Sequence, residues 1–375
     1  MIYFDNASST KPTKEALDIF YEASLDKFYN PNSIFSAGIK NFNEIRRIKE
    51  NILKDFKLDN SYEIIFTSGA TESNNLAILG YVRKNQNRGR RIITTKVEHD
   101  SVLFVFQKLE KDGFDVIYLD VDENGKIDIE EFKKVMDKNT ILVSIMGVNN
   151  EVGFALNIKE ISLVIANYPK CILHSDCAQT LGKYKFDYSL CDAFTISAHK
   201  IYGIKGIGAL VKKRKVNLEP IIYGGGQENG LRSGTQDFPA ICSFAYSIHE
   251  IFKDFNKNYD HALALKNHLV EGLKKIDEVI LHLYDDSTPY VVNFSLKTKK
   301  ASVVVEALSN ALIYVSSVSA CNSKKEEPSH VLLALNKSEK EAHNSIRISF
   351  SKDNTIEECD AFLAELIRII ERIRS

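Results

Sequence analysis

The sequence has no long apolar run, almost no net charge and few cysteines, and each absence removes a class of protein. No segment approaches the ~20 consecutive apolar residues of a membrane-spanning helix. The opening MIYFDNASST lacks the basic region and apolar stretch of a secretory signal. A cytoplasmic or similarly reducing compartment is the expected home. The 49 Lys and Arg nearly cancel the 50 Asp and Glu, so nothing global attracts nucleic acid or an anionic membrane. Six cysteines, at 171, 177, 191, 242, 321 and 359, contain no CxxC pair and are too sparse in 375 residues for a disulfide scaffold. They read as free thiols. Internal repeats and low-complexity tracts are missing too, and the one charge run, KKEE from Lys324, reads as a polar surface loop.

What is present is ordinary globular usage, 44% apolar and 26% charged. The length exceeds the ~250 to 300 residues at which a single core stops growing, so two lobes are expected. From about Tyr62 to Leu210, seven short β-rich runs alternate with helical patterns: EIIFTSGA, RRIITTKVEH, FDVIYLDV, TILVSIMGV, CILHSDCA, CDAFTISAH and GIGALVKK. Such alternation predicts an α/β fold with a mostly parallel sheet covered on both faces. An amphipathic pattern from roughly Ile241 to Leu273 reads as one connecting helix. A smaller α+β lobe then follows, with strands at VVNFSL, IYVSSVSA and SIRISF, a helix over about Ser302 to Asn310, and a final helix from about Thr355.

Ligands of parallel sheets bind beyond the carboxyl ends of the strands. Thr71, His99, Asn150, Asp176, Gln179, Ser197, His199 and Lys200 all fall there. TSGATESNN, from Thr67, follows a strand and opens a helix, so backbone N–H groups and hydroxyls face one point, as in a phosphate cradle; a plain capped helix is the bland reading. SAHK repeats the pattern, although Lys200 alone reads as an ordinary surface lysine. Asp176 ends an apolar strand, where a carboxylate needs a cationic partner or a capping duty. His99 alone suits capping or packing, and Asn150 with Glu151 suits a turn. Cys321 lies in SSVSACNS, between serines and a polar stretch, which reads as an exposed thiol among cysteines that are usually buried.

DVDENGKIDIEE, from Asp120, matches a calcium-loop pattern with Asp120, Asp122, Asn124, Gly125 and Glu131 in ligand positions. An EF-hand needs a helix before the loop, and FDVIYL is β-like. The stretch therefore reads as a strand, a polar turn and a helix capped near Asp128.

Taken in order, TSGATESNN, EHDSV, VNNEVG, HSDCAQT, SAHKIYG, GGGQENGLRSGT, SSVSAC and SIRIS resemble the NifS/IscS-like cysteine desulfurases of the class V aminotransferase superfamily. The resemblance runs from DNASST at Asp5 to the final helix. It implies a homodimeric fold type I enzyme dependent on pyridoxal 5'-phosphate. The large domain would span 14–250 around a seven-stranded sheet, and the small one 1–13 and 251–375, carrying the cysteine loop. Lys200 would form the Schiff base with the cofactor, Asp176 would pair with its pyridine nitrogen and Gln179 would contact its phenolic oxygen. Ala70, Thr71, Ser197 and His199 would hold the phosphate, with Thr235 reaching in from the partner subunit. His99 would stack on the ring and assist proton transfer. Asn150 would touch cofactor and substrate, Arg347 would fix the substrate carboxylate, and Asn30 and Asn32 would help there. The implied reaction takes sulfur from L-cysteine onto Cys321 as a persulfide, releases L-alanine and passes the sulfur to an acceptor protein. An iron-sulfur scaffold and a tRNA thiolation enzyme are both candidates.

Two positions depart from the family pattern: Val318 stands where it has glycine and Ile204 where it has proline. Val318 cannot reach positive φ cheaply, so the loop before Cys321 is expected to be set differently. The chain stops soon after its last helix, short of the extended tail that some relatives use to bind an iron-sulfur scaffold. A selenocysteine lyase or other class V lyase, and a poorly active sulfur-transfer partner, are the competing readings.

Overall fold

A computed structural model describes residues 1–317 and 327–373. Its strands, in chain order, are β1 (Ile2–Tyr3), β2 (Tyr62–Thr67), β3 (Arg91–Thr95), β4 (Asp115–Leu119), β5 (Thr140–Ser144), β6 (Ile172–Asp176), β7 (Ala193–Ser197), β8 (Gly208–Lys213), β9 (Val279–His282), β10 (Val291–Leu296), β11 (Ile313–Tyr314), β12 (Ser316–Ser317) and β13 (Ser345–Ser349). All seven strands expected before residue 215 are present and form one sheet in the order β2-β8-β7-β6-β5-β3-β4. Neighbours run parallel from β7 to β4, whereas β8 is antiparallel to both β7 and β2. Every residue of β5, β6 and β7 is buried, which explains why these strands read as continuous apolar runs rather than as alternations.

The strand order reverses at β3, flanked by β4 on one side and β5 on the other. The loops leaving β3 and β5 therefore part and open a crevice at their carboxyl ends. His99 follows β3, Asn150 follows β5, and Asp176 ends β6.

A second sheet, β12-β13-β10-β9, is antiparallel throughout. Phe4, Phe350 and Phe362 meet edge to face beside it, with centroids 5.5 and 6.1 Å apart. The final helix, Ile356–Arg372, starts with a capping box between Thr355 and Glu358 and buries Cys359, Phe362, Leu366 and Ile369 at three- and four-residue spacing. β1 pairs in parallel with β11 as a separate two-stranded sheet.

Two elements differ from expectation. The single connecting helix is two, Phe238–Lys253 and Phe255–Leu273, broken at Asp254 with φ −98° and ψ 11°. The apolar pattern runs straight across this break and so conceals it. IYVSSVSA yields two short strands, β11 and β12, and its remainder lies outside the described residues.

Candidate active site

Asp176 is buried, and its carboxylate accepts Asn74 Nδ2 at 2.7 Å and the Ala178 N–H at 2.9 Å. Asn74 Nδ2 also donates to Ser101 Oγ at 2.9 Å. Ser101 Oγ lies 2.9 Å from His99 Nδ1, which accepts the Ser101 backbone N–H at 3.1 Å. The direction of donation along this chain places the ring proton of neutral His99 on Nε2. His99 is also the N-cap of helix Asp100–Lys111, as the capping reading expects. The ring lines a cavity of about 380 Å³ together with Thr71, Asn75, Phe104 and Lys108.

Lys200 Nζ donates to the carbonyls of Ala7 at 2.6 Å and Ser8 at 2.9 Å. The Ala7 carbonyl also takes Gln179 Nε2 at 2.7 Å, which brings Lys200 and Gln179 to one point. Arg347, central in β13 and 4% exposed, donates to Asp5 Oδ1 at 2.7 Å, Ser8 Oγ at 2.8 Å and the Asn150 carbonyl at 2.9 Å. Its buried Nε has no partner among the described residues. Asn150 itself sits in the expected turn, where Asn149 Oδ1 accepts the N–H groups of Glu151 and Val152.

Gly69 precedes helix Ala70–Asn75 with φ 154° and ψ −177°, a conformation essentially reserved for glycine, and supplies no side-chain cap. A Cβ built there would lie 3.8 Å from Ser197 Oγ. Ser197 Oγ in turn meets His199 Nδ1 at 2.9 Å. Burial, then the charges of Lys200, Lys183 and Lys205, push His199 down to about 4. Gly69 at the helix start thus lies beside these two side chains.

Thr235 and Asn30 stand apart from this group, both on exposed segments. Asn30 Oδ1 accepts the Asn32 N–H at 2.9 Å, and no hydrogen bond among the described residues links Asn30 with Lys200, Asp176 or Arg347. Cys321 and Val318 lie outside the described residues. Cys177, the next cysteine by position, is fully buried and pushed up to about 12 by that burial, so it is no accessible nucleophile. The calcium-like stretch is a turn and a cap: Asp122 Oδ1 accepts the N–H groups of Asn124 and Lys126, Asp128 caps helix Ile129–Val135, and Lys96 pairs with Asp120. Sequence reasoning gave no role to Asp5, Ala7, Ser8, Asn74, Ser101 or Lys183. Asn74 lies inside the TESNN run, but backbone carbonyls carry no residue signature.

A seven-stranded, mostly parallel sheet with a lysine, an aspartate and a histidine at its strand ends defines a class-V aminotransferase, and the model of that family, Aminotransferase class-V, matches residues 2–362. The chain belongs to this family and, within it, to the NifS/IscS-type cysteine desulfurases. It is 39% identical to a NifS/IcsS protein homolog of Lactobacillus delbrueckii subsp. bulgaricus, covering 99% of this chain and 97% of that one. It is 37% identical to cysteine desulfurase IscS 1 of Archaeoglobus fulgidus, covering 100% and 98%. Among solved structures, a NifS-like protein superposes with a TM-score of 0.92 at 33% identity, covering 99% of this chain and 100% of that one. Members of the family depend on pyridoxal phosphate, and the residues here fit that group. Asp176 has two neutral donors where a carboxylate offers about four acceptor positions, which leaves capacity for a ligand cation.

Proposed function

We propose that this protein is a pyridoxal-phosphate-dependent cysteine desulfurase, acting as a homodimer in a cytoplasm-like reducing compartment. The observation that carries the reading is the convergence of Lys200, Gln179 and Arg347 on one N-terminal strip, together with the Asp176-Asn74-Ser101-His99 chain. Lys200 would hold the cofactor, Asp176 its ring nitrogen and Gln179 its phenolic oxygen. Ala70, Thr71, Ser197 and His199 would hold its phosphate, with Thr235 of the second copy. Pyridoxal phosphate supplies, when bound, an electron sink for charge developing at the substrate's α-carbon.

The chain's own residues do the rest. Arg347 presents a buried guanidinium, suited to the carboxylate of L-cysteine beside Asn150. Lys200 moves the substrate's α-proton, and His99, protonated on Nε2, donates toward the reacting group. In net terms the cysteine Cβ–S bond breaks, Cys321 gains the sulfur as a persulfide, and alanine leaves. Burial pushes all five described cysteines well above the usual thiol range, which supports giving this task to Cys321. The persulfide then passes to an acceptor protein.

Apolar side chains left exposed near the N-terminus, among them Tyr21, Phe28, Ile34 and Phe35, support a second copy as their cover. Two core clusters on the large sheet and a third around the small one support a division near residue 250. No helix among the described residues is long and apolar enough to cross a membrane.

The experiment is mass spectrometry of the Cys321 peptide after incubation with cysteine, run beside visible spectra. Wild type should be yellow and gain one sulfur. Lys200→Ala should lose the colour, and Cys321→Ala should keep it while releasing no sulfide. A colourless wild type overturns the cofactor assignment, and sulfide release by Cys321→Ala moves the nucleophile elsewhere.

A further inference from the structure

Lys183 lies in the turn after β6, is 5% exposed, and has no carboxylate within ion-pair distance among the described residues. Its backbone is fixed from both sides. Thr288 Oγ1 donates to its carbonyl at 2.7 Å, and the preceding Gly182, at φ 73°, packs so closely on Ile251 that an added Cβ would come within 2.0 Å. Burial, and then the charges of Lys200 and Arg347, push the amine well below the usual lysine range. Among the described residues this lysine has no counter-ion to serve. Its Nζ donates instead to Gln179 Oε1, at 2.8 Å.

A glutamine amide has nearly the same shape when turned over, and its partners decide which end faces which way. Lys183 takes the oxygen end. The Ala7 carbonyl, an acceptor only, takes one N–H of the other end at 2.7 Å, on the Lys200 side. Turning the amide over would set oxygen against oxygen at Ala7 and leave buried groups unmet. Because the NH2 group carries two hydrogens, one donor remains for a ligand next to Lys200.

We propose that Lys183 is a positioning residue for the cofactor: it locks the Gln179 amide so that its second N–H donates to the cofactor's phenolic oxygen. This rests on the cofactor reading above and adds to it a residue outside the ligand's own contacts. Removal of Lys183 leaves Gln179 Oε1 without its donor and the amide held at Ala7 alone, so it tilts and the donation is lost. A donor to that oxygen favours its ionised form, so losing the donor raises the pH at which the bound cofactor's visible spectrum changes.

The test is a pH titration of the visible absorbance of holoenzyme for wild type, Lys183→Met, Lys183→Leu, Gln179→Leu and the Lys183→Met/Gln179→Leu double variant. Methionine and leucine fill the site without a polar atom, and each guards against a folding failure of the other. Both Lys183 variants should move the spectral midpoint upward by about half a unit to one unit, in the direction of Gln179→Leu. The double variant should move no further than Gln179→Leu alone. A merely structural lysine would change the melting temperature and leave the midpoint in place. Unchanged midpoints in both Lys183 variants, or shifts that add in the double variant, overturn the proposal while the cofactor assignment stands. A wild type with no visible band overturns both.

Discussion

Glu98 offers a test of the buried electrostatics beside the site. Its carboxyl group is fully buried; Oε1 accepts Thr95 Oγ1 at 2.8 Å and the Met146 N–H at 2.9 Å, and Oε2 has no partner among the described residues. Burial pushes it up from 4.5 to about 8. The two donors oppose that shift, and the charge of Asp176 adds to it. The folded state therefore holds this proton more tightly than the unfolded chain does. The associated stability is fully present below the unfolded value of 4.5 and is lost as the pH rises through about 8. Integrating proton uptake between those two values gives a loss of about 4 kcal/mol from pH 5 to pH 9. Glu98→Gln keeps the shape and the Oε1 acceptor but cannot titrate. Urea denaturation of both proteins at pH 5, 7 and 9 should show the stability difference moving by about 4 kcal/mol in the variant's favour across the series. Parallel stability curves would refute the reasoning, because they would mean that Glu98 binds its proton no more tightly when folded.

Gly182→Ala should cost about 2 to 4 kcal/mol, read as a lower urea midpoint, because a Cβ at φ 73° would lie 2.0 Å from Ile251 Cγ1. Asp5→Asn should raise KM for cysteine and cost about 1 to 2 kcal/mol, since it discharges a carboxylate paired with buried Arg347 while keeping an acceptor in place. Neither added calcium nor a chelator should move the melting temperature, because Asp120, Asp122 and Asp128 already serve an ion pair, a turn and a helix cap.

The sheet was legible because each of its strands is a short apolar run closed by polar residues, and the strand-end rule then pointed to His99, Asp176 and Lys200 without any geometry. The connecting helix was misjudged for the opposite reason: the amphipathic period continues through Asp254, so only backbone dihedrals reveal the break. Lys183 sits in GKYKFD, a stretch that looks like solvated surface. The clue to its burial is the adjacent Gly182, whose positive φ turns the chain inward. Asn74 and Ser101 are small polar residues within helices, a pattern shared by countless caps, and their role appears only once Asp176 and His99 are seen at the two ends of the chain they complete.

The N-terminal strip explains how residues of two sheets become one site. Ala7 and Ser8 offer carbonyls to Lys200, which follows β7, and Asp5 with Ser8 Oγ offers acceptors to Arg347 in β13. Lysine and arginine carry charge of the same sign, and with nothing between them they would repel and each lose hydration. A strip of acceptors, one of them a carboxylate, takes donors from both cations and relieves that repulsion. The strip is itself held by the pairing of β1 with β11 and, on the second sheet, by the Ser349 bonds to Phe4 and Ala7. A displacement of Arg347 would therefore reach Lys200 through Ser8, which accepts from both, so the arginine proposed to bind substrate is mechanically continuous with the lysine proposed to hold the cofactor.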